Sequence, residues 1–234
     1  MTIRFRTVLA WLVAGHAVVG GLYWLLLQIP ESNAWMLLAS ALVILAAAFL
    51  FGVIESVAAL GLTSDTPMKA AVRLGIRRAW LVVFPVAVAG CIWLVTGIMS
   101  EWLTGNAGRI DAWLIAKTGW TRTSGLHAAL DWVVAFVRYG VGASLGAALL
   151  AALASRGFPG LGSDWWRAGL SWKRLLAVSL ALLAGFWLPW QAVYWRPASL
   201  PSTWIEPAFA AVKLAVIYAV ANFAWALVLR RAAR

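Results

Sequence analysis

Six apolar segments, each long enough to cross a lipid bilayer, constrain the fold of this chain more than any other feature. A spanning helix needs about 20 mostly apolar residues, and the segments that reach this length are 7–27, 35–60, 79–99, 130–154, 175–194 and 206–229. Hydrophobic residues make up 64% of the 234 residues and charged residues 12%, about half the charged share of a soluble domain. We therefore predict an all-α integral membrane protein, a single polytopic membrane domain covering residues 1–234.

The Lys and Arg residues are distributed unevenly among the connections. Thirteen of the nineteen lie at the two termini and in the second and fourth connections, whereas four lie in the other connections. Basic residues are enriched on the cytoplasmic side of membrane proteins. The pattern predicts a six-helix bundle of three hairpins in a cell inner (cytoplasmic) membrane, with both termini in the cytoplasm. The basic residues that give the net charge of +11 lie beside the apolar segments. This position predicts anionic lipid headgroups as partners and no nucleic acid.

The tryptophans also follow two predicted membrane boundaries. The indole ring prefers the headgroup level of a bilayer. The outer group consists of Trp24, Trp35, Trp102, Trp132, Trp187, Trp190, Trp195 and Trp204, and the inner group of Trp11, Trp80, Trp165, Trp166, Trp172 and Trp225. We interpret both groups as aromatic belts.

Short interfacial helices are predicted outside the six segments. In the long connection 100–129, Ile110, Trp113 and Leu114 have helical spacing and predict an amphipathic helix at the outer surface. On the inner side, the motif at 61–65 recurs at 160–164. We interpret this echo as an internal repeat, in which the pairs Ser64-Asp65 and Ser163-Asp164 cap the following basic helices.

The basic residues that follow these two motifs form one predicted basic surface on the inner side. It consists of Lys69, Arg73, Arg77, Arg78, Arg167, Lys173 and Arg174. The surface is predicted either to bind anionic lipid, at about 1 kcal/mol per basic residue, or to dock another membrane subunit or a cytoplasmic one, such as an ATPase.

Ionisable residues inside spanning helices are candidates for function because each is costly in lipid. On the outer side, Arg138 and Lys213 each follow an acid, Asp131 and Glu206, by seven residues. These four residues predict an outward-facing polar cavity for an anionic ligand or a lipid headgroup. The alternative is that both cations extend to the outer headgroups.

A second candidate group lies on the inner side. Glu55 is expected to meet Asn222 or Arg73, which forms an inner polar cluster. His16 lies midway along the first segment and is interpreted as hydrogen-bonded to a backbone carbonyl.

Enzyme and cofactor motifs are weaker than these polar candidates. The sequence Gly142-Ala143-Ser144-Leu145-Gly146 spells G-x-S-x-G, but no histidine occurs at a matching depth to activate the serine. Gly142 and Gly146 also form GxxxG, which predicts close helix packing. No metal or cofactor is predicted. The favoured function is a non-catalytic integral membrane subunit of a transporter or a larger membrane assembly. The alternatives are an intramembrane enzyme acting on a lipid or lipid-linked substrate, and a scaffold or cofactor-carrying subunit of an electron-transfer or pigment complex.

Overall fold

The structure, a computed structural model, describes residues 3–30, 32–64, 66–119, 124–195 and 205–232. This described part is 93% helical and contains no strand. Its α-helices are α1 (Ile3–Gln28), α2 (Ala34–Thr63), α3 (Met68–Arg78), α4 (Val83–Gly105), α5 (Ala107–Thr118), α6 (Ser124–Ala135), α7 (Gly142–Arg156), α8 (Trp165–Gly169), α9 (Trp172–Leu182), α10 (Leu188–Tyr194) and α11 (Ile205–Ala232).

Six helical stretches in this part of the chain are long and apolar enough to cross a membrane, as predicted. Each contains one of the predicted segments and extends beyond it. The stretches are Arg4–Gln28, Ala34–Thr63, Met68–Gly105, Gly125–Arg156, Trp172–Tyr194 and Ile205–Ala232.

Three of these stretches change their helical winding along their length. The third joins α3 to α4 through the 3₁₀ turn Ala79–Val82, so the basic helix α3 is continuous with a helix that is long and apolar enough to cross a membrane. Pro85 lies just beyond this turn, and a proline cannot donate the hydrogen bond of an ordinary helical turn. π-helical turns at Phe136–Val141 and Leu183–Trp187 join α6 to α7 and α9 to α10.

The helices pack most closely at one end of the bundle, which we call the core end. It contains the beginning of α1, the ends of α2 and α11, and α7. Arg4 donates hydrogen bonds to the backbone carbonyls of Ser64 and Thr66, which ties the start of α1 to the end of α2. The fully buried side chains here include Val8, Leu12, Ile54, Val57, Leu149, Leu153, Val228 and Leu229.

At the opposite end, which we call the far end, the same helices expose most of their apolar side chains. Leu25 and Leu27 of α1, Leu42 and Leu45 of α2 and Val216 of α11 are each more than two-fifths exposed. Side chains of this kind are stable in contact with lipid tails, which are as apolar as leucine. The far end therefore suits a lipid or a helical partner as its neighbour.

The short helices outside the spans differ in part from the predictions. The predicted helix in the long connection does form, at Ala107–Thr118. Asp164 directly precedes α8, but its side chain accepts no cap bond from that helix. Its carboxylate lies 3.8 Å from the Arg167 guanidinium instead. Ser64 follows the last residue of α2 as its C-cap, and its hydroxyl donates to the Leu60 carbonyl. Residues used in the sequence analysis that fall outside the described part are Asp65, Arg122, Arg196, Trp204 and Arg234.

Candidate functional site

Four polar side chains meet where α1, α2 and α11 pack together, and we call them the polar centre: His16, Glu55, Asn222 and Trp225. His16 Nε2 lies 3.0 Å from Glu55 Oε1, and His16 Nδ1 lies 2.7 Å from Asn222 Oδ1. Trp225 Nε1 donates to Glu55 Oε2 over 2.8 Å. Glu55 is 2% exposed and Asn222 4%, whereas His16 and Trp225 are half-buried.

The hydrogen bonds around Asn222 determine which nitrogen of His16 carries a hydrogen. The Asn222 amide nitrogen donates to the Tyr218 carbonyl over 2.9 Å, so the amide oxygen faces His16. An oxygen acceptor requires a donor opposite it, and His16 Nδ1 therefore carries a hydrogen. One further hydrogen lies between His16 Nε2 and Glu55 Oε1.

The position of this shared hydrogen sets the charges of the pair but not their sum. On Nε2 it makes an imidazolium and a carboxylate; on Oε1 it makes a neutral imidazole and a carboxylic acid. Both forms are neutral overall. A single charge inside a spanning helix costs about 2.5–3.5 kcal/mol on insertion scales, so pairing His16 with Glu55 lets two ionisable groups occupy the bundle together.

Close packing of α1 on α2 holds this pair in place. A Cβ atom at Gly15 would lie 2.7 Å from Ile54 Cγ1, so the glycine permits an approach that a side chain would block. Phe51 stacks on the His16 ring at 5.9 Å between centroids. The Trp11 indole donates to the Ile54 carbonyl over 3.3 Å. These contacts fix the imidazole on the helix that carries Glu55.

A separate bond fastens α11 to α1 beside the polar centre. The Tyr218 hydroxyl donates to the Val13 carbonyl over 2.5 Å. Tyr218 precedes Asn222 by one helical turn, and Trp225 follows Asn222 by three residues, so these side chains share one face of α11. That face meets both α1 and α2.

The polar centre combines Glu55 and Asn222 of the predicted inner cluster with His16 and Trp225, for which the sequence predicts other contacts. Glu55 and Asn222 both bond to His16 rather than to each other, whereas Arg73 is exposed on α3. His16 bonds to two side chains, so its interpretation as a carbonyl-bonded histidine is wrong. Trp225 is predicted to lie in an aromatic belt, but its indole donates to Glu55. The sequence signal for this contact is its spacing of three residues from Asn222, which puts both side chains on one helix face.

The structure gives Arg138 and Lys213, the two cations predicted on the outer side, separate partners. Arg138 Nε donates to Thr96 Oγ1 of α4 over 2.9 Å. Lys213 Nζ donates to the carbonyls of Val193 and Trp195, over 2.7 and 3.1 Å. These carbonyls belong to the C-terminal end of α10, where a cation also interacts favourably with the helix dipole.

The two acids of the same predicted group lie apart from these bonds. Asp131 is exposed on α6, and Glu206 is half-buried in the first turn of α11. Among the described residues, neither acid forms an ion pair with Arg138 or Lys213. The bonds of Lys213 are those of a helix cap, whereas Arg138 bonds through its Nε to a hydroxyl of α4.

The basic surface lies at the core end and is largely exposed. Arg78 donates to the Ala154 carbonyl and Arg174 is half-buried. The exposed basic side chains are Lys69, Arg73, Arg77, Arg167 and Lys173. Aromatic side chains lie among them and are also exposed, namely Trp80, Phe158, Trp166 and Trp172.

The G-x-S-x-G sequence occupies a packing position in the bundle. Gly142 and Gly146 are buried, and Cβ atoms built on them would lie 3.6 Å from Ile92 and 3.7 Å from the Pro85 carbonyl. The Ser144 hydroxyl donates to the Gly169 carbonyl over 2.6 Å. This segment therefore contacts α4 and α8.

Both histidines bond to side chains other than Ser144. His16 belongs to the polar centre, and His127 bonds to Asp111 over 2.7 Å. In the described ranges, no three His, Cys, Asp or Glu side chains are grouped closely enough to hold a metal ion.

Comparison with protein-family models, with curated proteins and with solved structures finds no significant match to this chain.

Proposed function

We propose that this protein is a membrane-integral, non-catalytic component of a transport assembly, and that the polar centre is the place where it holds and transfers a proton. The observation that carries the proposal is the bonded pair of His16 and Glu55 inside a bundle of apolar helices. Ionisable groups at such depth are rare, face the bundle interior and typically belong to ion or proton pathways.

The proposed orientation follows the distribution of charge. In a cell inner membrane, the core end would face the cytoplasm, because it carries the exposed basic and aromatic side chains that suit anionic headgroups. Both termini would then be cytoplasmic, and the six spans would form three hairpins. The exposed apolar far end leaves room for the helices of partner subunits.

The shared hydrogen supplies a means of coupling proton transfer to helix movement. With the hydrogen on His16, separating α1 from α2 would leave a buried imidazolium and a buried carboxylate, both unpaired and costly. With the hydrogen on Glu55, the same separation leaves two neutral groups and costs less. Transfer of the hydrogen from Nε2 to Oε1 thus lowers the barrier to opening between these helices.

Glu55→Gln is the most informative substitution because it retains the hydrogen bonds of the pair. The Gln oxygen can accept from Trp225, and the Gln amide can donate to a neutral His16. The amide cannot take up or release a proton near neutral pH, so only the proposed function is removed.

The experiment uses the assembly extracted from its own membrane in polymer nanodiscs and reconstituted into liposomes. The membrane potential is clamped and the pH outside the liposomes is lowered in a single step. A pH-sensitive dye inside the liposomes then reports the rate of proton entry. We expect Glu55→Gln to slow proton entry at least about tenfold, the effect of about 1.4 kcal/mol on the barrier.

The matched control is Glu101→Gln, which removes an exposed carboxylate from α4 and should leave the rate unchanged. Equal rates for the wild-type and Glu55→Gln proteins would reject the proposal. Native mass spectrometry of the same nanodiscs tests the assembly: a stoichiometric partner protein is expected, and a lone chain contradicts it.

A further inference from the structure

The guanidinium group of Arg138 is held at a fixed position within a spanning stretch. Its Nε donates to Thr96, and its Cζ lies 5.4 Å from the centroid of the Trp93 ring. Thr96 is 2% exposed, and its own hydroxyl hydrogen is directed toward the carbonyls of Ile92 and Trp93, 2.8 and 3.0 Å away. The hydroxyl oxygen is therefore oriented to accept from Arg138.

This arrangement uses one of the five N–H groups of the guanidinium. The terminal nitrogens carry the other four. Among the described residues, no side chain or carbonyl accepts a hydrogen bond from them, and no carboxylate forms an ion pair with Arg138. Gly97 lies next to one terminal nitrogen, and a Cβ at this position would be 3.7 Å from it, so residue 97 brings no side chain against that nitrogen.

The depth of Arg138 makes a missing counter-charge costly. It lies six residues beyond Trp132, which the sequence predicts to lie at a membrane boundary, and six residues correspond to about 9 Å along a helix. The bond to Thr96 and the contact with Trp93 direct the side chain across to α4. A cation held in this way requires an anion nearby or costs several kcal/mol in lipid.

We propose that Arg138 is an anion-binding residue whose ligand is a phosphate ester. The two terminal nitrogens form a planar fork that matches two phosphate oxygens. Trp93 lies beside the guanidinium and is 59% exposed, and Val133, five residues before Arg138, is 58% exposed. Arg138 is itself half-buried, so the guanidinium lies near an exposed apolar surface that lipid would cover. The ester could belong to a phospholipid headgroup or to a soluble phosphate compound. This inference does not depend on the polar centre.

Binding can be tested with purified protein in a maltoside detergent, which contains no phosphate. One arm titrates the protein with dihexanoyl phosphatidylglycerol and the other with glycerol 3-phosphate. Binding is followed by ³¹P NMR line broadening and by calorimetry. Saturable binding of the short lipid alone assigns a lipid headgroup, binding of glycerol 3-phosphate alone assigns a soluble ester, and binding of both assigns the phosphate group itself.

Variants connect the binding to Arg138. Arg138→Gln should raise the dissociation constant at least about tenfold, since a charge-assisted bidentate contact is lost. Arg138→Lys keeps the charge without the fork and should give intermediate affinity, which also covers the case in which the Gln variant does not fold. Arg109→Gln, at an exposed arginine of α5, should bind like the wild-type protein. The proposal is overturned if the wild-type protein binds neither compound, or if Arg138→Lys and every folded variant bind equally well.

Discussion

Replacing Glu55 with Ala or with Gln distinguishes the hydrogen bonds of the polar centre from its charge. Glu55→Ala removes the acceptor of the Trp225 N–H and the partner of His16 Nε2. The His16 and Trp225 side chains are half-buried, so the loss of their partners costs at most about 1–3 kcal/mol each, the penalty of a fully buried group. Side-chain hydrogen bonds in a membrane protein average about 0.6 kcal/mol, so two such bonds set a lower bound of about 1 kcal/mol.

The Gln variant should behave differently because its amide can replace both bonds. Its oxygen accepts from Trp225, and its nitrogen donates to His16, which is then neutral with its hydrogen on Nδ1. We expect Glu55→Gln to lie within about 1 kcal/mol of the wild-type free energy of unfolding, the worth of one ordinary hydrogen bond.

The assay is reversible unfolding in mixed micelles by titration with SDS, followed by tryptophan fluorescence. Glu101→Ala on the exposed surface of α4 is the control and should change the free energy of unfolding by no more than about 0.5 kcal/mol. If Glu55→Gln destabilises the protein as much as Glu55→Ala, an ion pair rather than the hydrogen bonds stabilises the centre, and this reasoning is refuted.

Two further predictions concern packing and orientation. Gly75→Leu should destabilise the protein by about 1–3 kcal/mol, because a Cβ there collides with a side chain of α2. Gly90→Ala has open space around it and should stabilise α4 by about 0.5–1 kcal/mol; thermal unfolding of both variants checks this pair, and equal melting temperatures would contradict it. In a Cys91→Ser background, an impermeant maleimide applied to intact cells should label Gly108→Cys and not Gly162→Cys, and the reverse pattern would contradict the proposed orientation.

The sequence predicted the spanning helices well because lipid imposes a simple requirement on them. Length and apolar content alone place a helix such as α2, with no knowledge of its neighbours. The continuity of α3 with α4 was less predictable, since a basic segment beside Pro85 also fits a separate helix. The structure keeps the chain helical there by tightening one turn.

Side-chain partners were harder to predict than helices. Glu55, Asn222 and His16 stood out in the sequence as polar residues in apolar segments, but the sequence did not show that His16 joins the other two. Lys213 and Glu206 lie on one helix at a spacing that indicates a shared face, yet Lys213 bonds to carbonyls of α10. Spacing along one helix describes that helix alone, whereas a long side chain takes whichever acceptor its neighbour supplies.

The sequence by itself determined that six segments are long and apolar enough to cross a membrane, since the transfer of each segment into lipid depends on its own composition. Only the tertiary structure decided which polar groups meet. His16, Glu55 and Asn222 are 206 residues apart at their extremes, and their contact depends on how closely α1 approaches α2 at Gly15 and where Tyr218 fastens α11. Those distances arise from packing among several helices at once, a property that no single segment carries.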